Sequence, residues 1–269
     1  MIGNLEVRRA GQGQTPVIFL PGLGCGPWIF DGLNTILSRE YSVYLVTVAG
    51  FDSVPAVAGP VIDGIISSVS GLVETEALTK PAIVAHSIGG IVALEMISRY
   101  PDLFGAAVVI DAAPRFLGPS ESLKDRREAN SRFADRVFRS SNLSSTESPA
   151  REWVSEMVIR EADADRVLAS WERSDRSIMC QFLIEGRMLA FKLNISRIQC
   201  PVCVIAPFQQ QANRSAIESE FTEAYRQRPD FEIHLVGPAR HFVMLDKPEE
   251  TNEVVNRFLS SALSENSSC

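Results

Sequence analysis

The stretch Pro81-Ala82-Ile83-Val84-Ala85-His86-Ser87-Ile88-Gly89-Gly90 leaves this chain few ways to fold. A short apolar run ends at Ala85-His86, Ser87 follows, and beyond Gly89-Gly90 a helical pattern continues from Ile91 to Arg99. That order predicts a strand, a sharp turn and a helix, with a serine at the apex. A serine so placed points out of the end of a parallel sheet, and the next backbone N–H, that of Ile88, faces the same space. With a base beside it the hydroxyl becomes a nucleophile, and the N–H can receive the oxyanion that its attack creates. The turn needs small neighbours, because a large side chain beside it would collide across the elbow. The plainer reading of the same residues is an ordinary strand-to-helix turn.

The flanking sequence has the same rhythm. Residues 2–9 alternate weakly, as an edge strand does. Val17-Ile18-Phe19-Leu20 is wholly apolar, which suits a strand covered on both faces. It runs into Pro21-Gly22-Leu23-Gly24-Cys25-Gly26-Pro27, a glycine-rich loop without the lysine or the spaced glycines of a phosphate cradle. Its better use is as a second oxyanion donor, from the N–H of Leu23; its simpler use is as a connection. Helices are expected at 28–39, 61–78 and 88–100, and strands at 41–48, 81–86 and 106–110, the last ending at Asp111. Such alternation argues for a mainly parallel sheet with helices on both faces, and ligands in such sheets sit beyond the carboxyl ends of the strands. Leu23, Ser87 and Asp111 all fall at such ends.

After Pro114 the pattern changes. Residues 115–195 hold no convincing buried strand and read as helices near 122–139, 149–160, 163–173 and 177–191, with a polar break from Ser140 to Pro149. The division predicted is a core of residues 1–114 and 196–269 with a helical cap of 115–195 placed over the site. Trp153, Trp171, Phe182 and Met188 are expected to pack inside that cap first and to line a pocket second. Strands return at 200–206 and 231–236, helices at 212–227 and 248–263, and Asp246 reads as the N-cap of the last helix. Cys200 and Cys203 spell C-x-x-C, but they open an apolar strand rather than a helix, so buried packing is expected instead of redox chemistry.

Only three histidines exist. His86 precedes Ser87 and points away from it. His234 lies inside a strand, where a packed neutral imidazole is usual. His241 follows the last strand in a turn that can bring its ring over Ser87, so it is the expected general base.

Taken in order, Pro21-Gly22-Leu23-Gly24, Ala85-His86-Ser87-Ile88-Gly89-Gly90, the helical insertion and Arg240-His241-Phe242 resemble the α/β-hydrolase superfamily. Ala85 stands where the elbow motif carries its first glycine, a departure that keeps the size small. The resemblance covers nearly the whole chain, is strongest at the elbow and the histidine loop, and is absent in the insertion. It implies an eight-stranded, mostly parallel sheet with helices on both faces and a helical cap. It also implies a Ser-acid-His triad in that chain order, acting on carboxylic esters of small substrates without cofactor or metal. The acid is where this chain departs. Many members carry it after the strand matching Val202–Ile205, where this chain reads Ala206-Pro207-Phe208-Gln209-Gln210-Gln211-Ala212-Asn213. Asp111 is the expected substitute, with Glu218 and Glu220 as alternatives. Amides, thioesters or lactones could be cut on the same triad, and a slow-turnover binding or signalling protein could keep the same fold. The serine nucleophile argues against a haloalkane dehalogenase, which uses an aspartate.

Composition narrows the partners. A chain of 269 residues fits one large α/β domain, and a net charge of −7 disfavours nucleic acid and anionic membrane surfaces. The opening residues contain no long apolar run of the secretory type, and no segment approaches a membrane span. Five cysteines without a disulfide framework then suggest a reducing cytoplasm.

Overall fold

The computed structural model describes residues 1–115, 121–138 and 142–265; parts of the expected cap, its polar break and the end of the 122–139 helix therefore lie outside the described residues. Among the described residues seven strands form one sheet: β1 (Leu5–Ala10), β2 (Pro16–Leu20), β3 (Ser42–Val48), β4 (Ala82–His86), β5 (Ala106–Ile110), β6 (Val202–Pro207) and β7 (Glu232–Val236). Their spatial order is β1-β3-β2-β4-β5-β6-β7, antiparallel at β1 and parallel elsewhere. The expected eighth strand is not among them. Ahead of β1 the backbone makes a tight turn closed by an Ile2–Leu5 bridge instead of another strand.

The apolar runs occupy the middle of the sheet. Val17 pairs with Ala82, Ile83 with Ala107 and Val108 with Cys203, and all six are buried. Burial of both faces explains why these strands read as continuous apolar segments rather than alternating ones. The helices are α1 (Asp31–Leu37), α2 (Val61–Thr75), α3 (Ile88–Arg99), α4 (Leu123–Phe138), α5 (Pro149–Ser155), α6 (Glu161–Glu172), α7 (Arg176–Ala190), α8 (Arg214–Ala224), α9 (Val243–Asp246) and α10 (Pro248–Glu265). Right-handed crossovers send α1 to one face of the sheet, where α10 joins it, and α2 and α3 to the other. Between β5 and β6, residues 121–138 and 142–195 contribute α4 to α7 and no strand. In that segment α7 packs on α2 and α3.

Some local expectations shift. The helix expected from residue 28 begins as a 3₁₀ turn, Pro27–Phe30, before α1, and α2 stops at Thr75, ahead of a left-handed Ala77. His234 is not a packed core imidazole: β7 is the edge strand, and the ring is partly exposed, 3.2 Å from a Glu232 carboxylate oxygen. Cys200 and Cys203 are buried in and beside β6; burial pushes the Cys200 thiol up to about 11 and raises Cys203 as well. No helix of the described residues is long and apolar enough to cross a membrane.

Candidate active site

The sheet delivers Ser87 and Asp111 to the same edge by the same device. The ladder runs one bond past each strand: the Ser87 N–H donates to the Ile110 carbonyl at 2.9 Å, and the Asp111 N–H donates to the Ile205 carbonyl at 2.8 Å. Each residue then enters left-handed backbone, with φ of 56° at Ser87 and 44° at Asp111. A residue with a Cβ is strained there and stays only where its surroundings enforce it. The sequence around the elbow permits the turn. A Cβ on Gly89 would stand 2.4 Å from the Pro21 carbonyl oxygen, so α3 can meet the 21–26 loop only with glycine at that point.

His241 arrives from the loop joining β7 to α9. Its Nε2 lies 2.8 Å from Ser87 Oγ and its Nδ1 lies 2.6 Å from Asp111 Oδ2. A carboxylate only accepts, so Nδ1 carries the proton and Nε2 is left to accept from the serine hydroxyl. About a quarter of the His241 side chain and a fifth of the Asp111 side chain reach solvent, at 26% and 22%. Glu218 and Glu220 project from α8 as exposed residues, and Asp111 occupies the His241 Nδ1 position.

The surrounding shell was less readable. His86 is wholly buried and packs at a tilt of 49° against the His241 ring, 4.6 Å between centroids; its Nε2–H donates to the His241 carbonyl at 3.0 Å. Burial first, and the neighbouring His241 second, hold its pKa well below 6.5, so it stays neutral. The hydroxyl of buried Tyr225 donates to the Ala112 carbonyl at 2.6 Å and pins the turn that carries Asp111. Asp246, expected to cap the last helix, instead accepts from the Arg240 and Ile159 N–H groups, each at 2.8 Å. It closes the short helix α9, which turns its carboxylate back toward the histidine loop. None of these links carries a local signal in the sequence.

Above the row lies a cavity of about 570 Å³. Leu23, Ser87 and Ile88 line it from the sheet side, and Trp153, Trp171 and Leu183 from the helical segment. Ile88 is the first residue of α3, where an N–H has no intrahelical acceptor. The Trp171 indole N–H donates to the Leu23 carbonyl at 2.9 Å and ties the helical segment to the 21–26 loop. Trp153 and Trp171 thus both pack together and line the cavity, whereas Phe182 is buried away from it. Cys25 is fully buried, and burial drives its thiol far above the ordinary range. Among the described residues, no three His, Cys, Asp or Glu side chains converge as a metal site.

Comparison with known proteins gives the geometry a family context. The profile of the alpha/beta hydrolase family matches residues 17–254. A pimeloyl-[acyl-carrier protein] methyl ester esterase of Shewanella woodyi is 32% identical over 117 residues, 44% of this chain and 43% of the relative. The chain thus spans less than half the length of the curated relatives it matches. Among solved structures, a thermophilic esterase from Thermogutta terrifontis superposes with a TM-score of 0.73 at 18% identity, over 96% of this chain and 93% of that one. An enol-lactonase from Burkholderia xenovorans LB400 does so with a TM-score of 0.72 at 17% identity, over 95% and 96%. At such identities these structures speak to the fold.

Proposed function

The chain belongs to the alpha/beta hydrolase family, and from that premise we propose that it is a serine hydrolase cleaving carboxylic esters of small substrates. The observation that carries the reading is the hydrogen-bonded row Asp111–His241–Ser87, with contacts of 2.6 and 2.8 Å. In this reading His241 Nε2 takes the Ser87 proton as Oγ attacks the ester carbonyl. Asp111 holds the ring in the tautomer that can accept that proton and stabilises the imidazolium that follows. The N–H groups of Leu23 and Ile88 receive the oxyanion. His241 returns the proton to the leaving alcohol, then activates a water that releases the acid and restores Ser87.

Residues 115–195 act as a cap that closes the cavity and sets which ester fits. The pairing of Trp171 with Leu23 supports that role, since it joins the cap to an oxyanion donor's loop. No cofactor is required. The compartment proposed is the cytoplasm, where the buried thiols of Cys25, Cys200 and Cys203 would remain reduced.

The test is covalent labelling with a fluorophosphonate together with turnover of p-nitrophenyl acetate. Labelling at Ser87 with steady turnover is expected. Labelling without turnover would favour a binding protein on the same fold, and absence of both would sink the hydrolase reading.

A further inference from the structure

The cavity that holds Ser87 is also lined by positive charge that pairs with no carboxylate among the described residues. Helix α7 turns Leu183, Gly186, Arg187 and Ala190 toward the cavity, the i, i+3, i+4, i+7 face of one helix. A Cβ added at Gly186 would stand 2.2 Å from Ile88 Cγ2, so α7 lies directly on the elbow. Arg187, the next residue along α7, lines the same cavity as Ser87.

Arg187 is half-buried over two aromatic rings, 4.4 Å from the Phe133 centroid and 5.8 Å from that of Trp153. Its one hydrogen bond among the described residues is a long one, 3.4 Å to Asn130 Oδ1, for a group with five donors. Among the described residues it has no carboxylate partner. Arg115 lines the same wall, fixed by its backbone N–H on the Ala190 carbonyl at 2.8 Å, and it too has no ion pair among the described residues. Desolvation and then the like charge of Arg115 lower the Arg187 pKa, which places the two guanidinium groups in each other's field. The third arginine on this wall, Arg126, is neutralised by Glu121.

Three acidic residues also line the cavity, Asp111, Glu220 and Glu223. Asp111 is engaged by His241, Glu223 pairs with Arg226, and Glu220 sits on exposed α8. The Glu185 carboxylate, on α7 itself, accepts from the Ile62 N–H and from Gln181 outside the cavity.

A half-buried guanidinium without a counterion is costly, and Arg is the residue that grips planar oxyanions with two parallel bonds. We propose that the substrate is an ester bearing a free carboxylate, held by Arg187 and Arg115 while its ester carbonyl lies at Ser87. The apolar lining between them, Leu183, Trp153 and Ile88, suits a short hydrocarbon spacer. This deepens, and rests on, the reading of Ser87 as an ester-cleaving nucleophile.

The test compares the monomethyl esters of succinic, glutaric and adipic acids with the corresponding neutral dimethyl esters. With one spacer length at least, kcat/KM for the monoester should exceed that for the diester by roughly ten- to a hundredfold, the scale of a charge-assisted bidentate pair. Arg187→Met and Arg115→Gln should each shrink that ratio several-fold. Arg187 packs on two rings, so its variant is checked by thermal melting, and exposed Arg115 provides the second variant should the first fail to fold. Equal rates on monoester and diester, or a preference that survives both substitutions, overturns the carboxylate site and leaves the esterase reading intact. If neither ester is cleaved, the esterase reading fails by itself. Calorimetric binding of the monoesters then decides the site: binding lost in Arg115→Gln upholds it, and no binding, or binding indifferent to the substitution, overturns it.

Discussion

The carboxyl edge of the sheet and the helical segment above it reach the same cavity by different means. At the edge, position is set by backbone: Ser87 and Asp111 hang from adjacent ladders through their own N–H groups and then turn through left-handed conformations. The helical segment is also held by backbone, Asp175 N–H on the Gly50 carbonyl at 2.7 Å and Phe242 N–H on the Met157 carbonyl at 3.0 Å, but it adds side-chain fastenings: Trp171 on the Leu23 carbonyl, Ser170 on the Gly24 carbonyl at 2.8 Å, and Arg240 of the core reaching the Val158 carbonyl at 2.7 Å. The backbone bonds survive a change of side chain, and the side-chain fastenings do not. On the proposed reading the reacting groups sit on the edge, where substitution removes chemistry without moving the frame, and substrate choice rests with the segment, where replacing a fastening side chain re-cuts the wall.

The largest effect should come from the edge. Ser87→Ala should lower ester turnover by on the order of 10³ to 10⁶ while the melting temperature stays within a few degrees, because its N–H still bonds Ile110. Full-length protein carrying that substitution and still turning over p-nitrophenyl acetate would break the comparison at its root, and buried Cys25 offers no ready replacement. Asp111→Asn should follow, with kcat down by roughly 10⁴ as the amide favours the wrong imidazole tautomer. Glu220→Gln, on an exposed helix face, should change kcat by less than about twofold, as surface substitutions usually do to stability. A reversal of those two results would move the acid from the sheet edge to α8.

The same contrast explains what the sequence disclosed. Strands β2, β4, β5 and β6 are legible because a buried parallel strand must be apolar on both faces, and a glycine-flanked serine after one of them fixes the elbow. His241 was reachable because only three histidines exist and only one follows the last strand. Asp111 was reachable because it ends a buried strand while the 206–213 loop carries no carboxylate. The links that hold these groups in register were not legible. Trp171 reaches Leu23 across 148 positions and Tyr225 reaches Ala112 across 113, and no local periodicity reports contacts of that separation. His234 and Asp246 misled for the related reason that strand and cap patterns show which element a residue occupies, not what it faces. An edge strand and a helix of four residues gave each a different neighbour.

A substitution in the helical segment should have a smaller effect of a different kind. Trp171→Phe keeps a ring in the wall but leaves the Leu23 carbonyl without its donor. It should cost about 1–3 kcal/mol of stability, the range for a buried group left unpaired. It should also lower kcat by roughly tenfold and alter KM, since displacing a positioning loop weakens the chemistry it serves. If kcat fell as far as in Asp111→Asn, side-chain fastening would have to be counted with the edge, and the division between frame and wall would fail.

The smallest effect concerns His86, which combines both kinds of placement: its backbone ends β4, while its ring donates to the histidine loop. Its folded pKa is depressed below 6.5 by burial, then by His241. The unfolded chain therefore binds a proton on this side chain as pH falls through about 6.5, while the native protein does not. The stability present above pH 6.5 is accordingly lost as pH drops toward the folded pKa, at no more than about 1.4 kcal/mol per pH unit. His86→Gln keeps an N–H donor for the His241 carbonyl and carries no titrating group. Its denaturation midpoints should sit slightly below those of the parent at pH 7.5, and its stability should fall less steeply between pH 6.5 and 5. The controls are His234, partly exposed on the edge strand, and His241, present in both proteins. Equal slopes in parent and variant would mean that the native protein protonates His86 as readily as the unfolded chain does. The ring that donates to the His241 carbonyl would then not be held neutral by its burial.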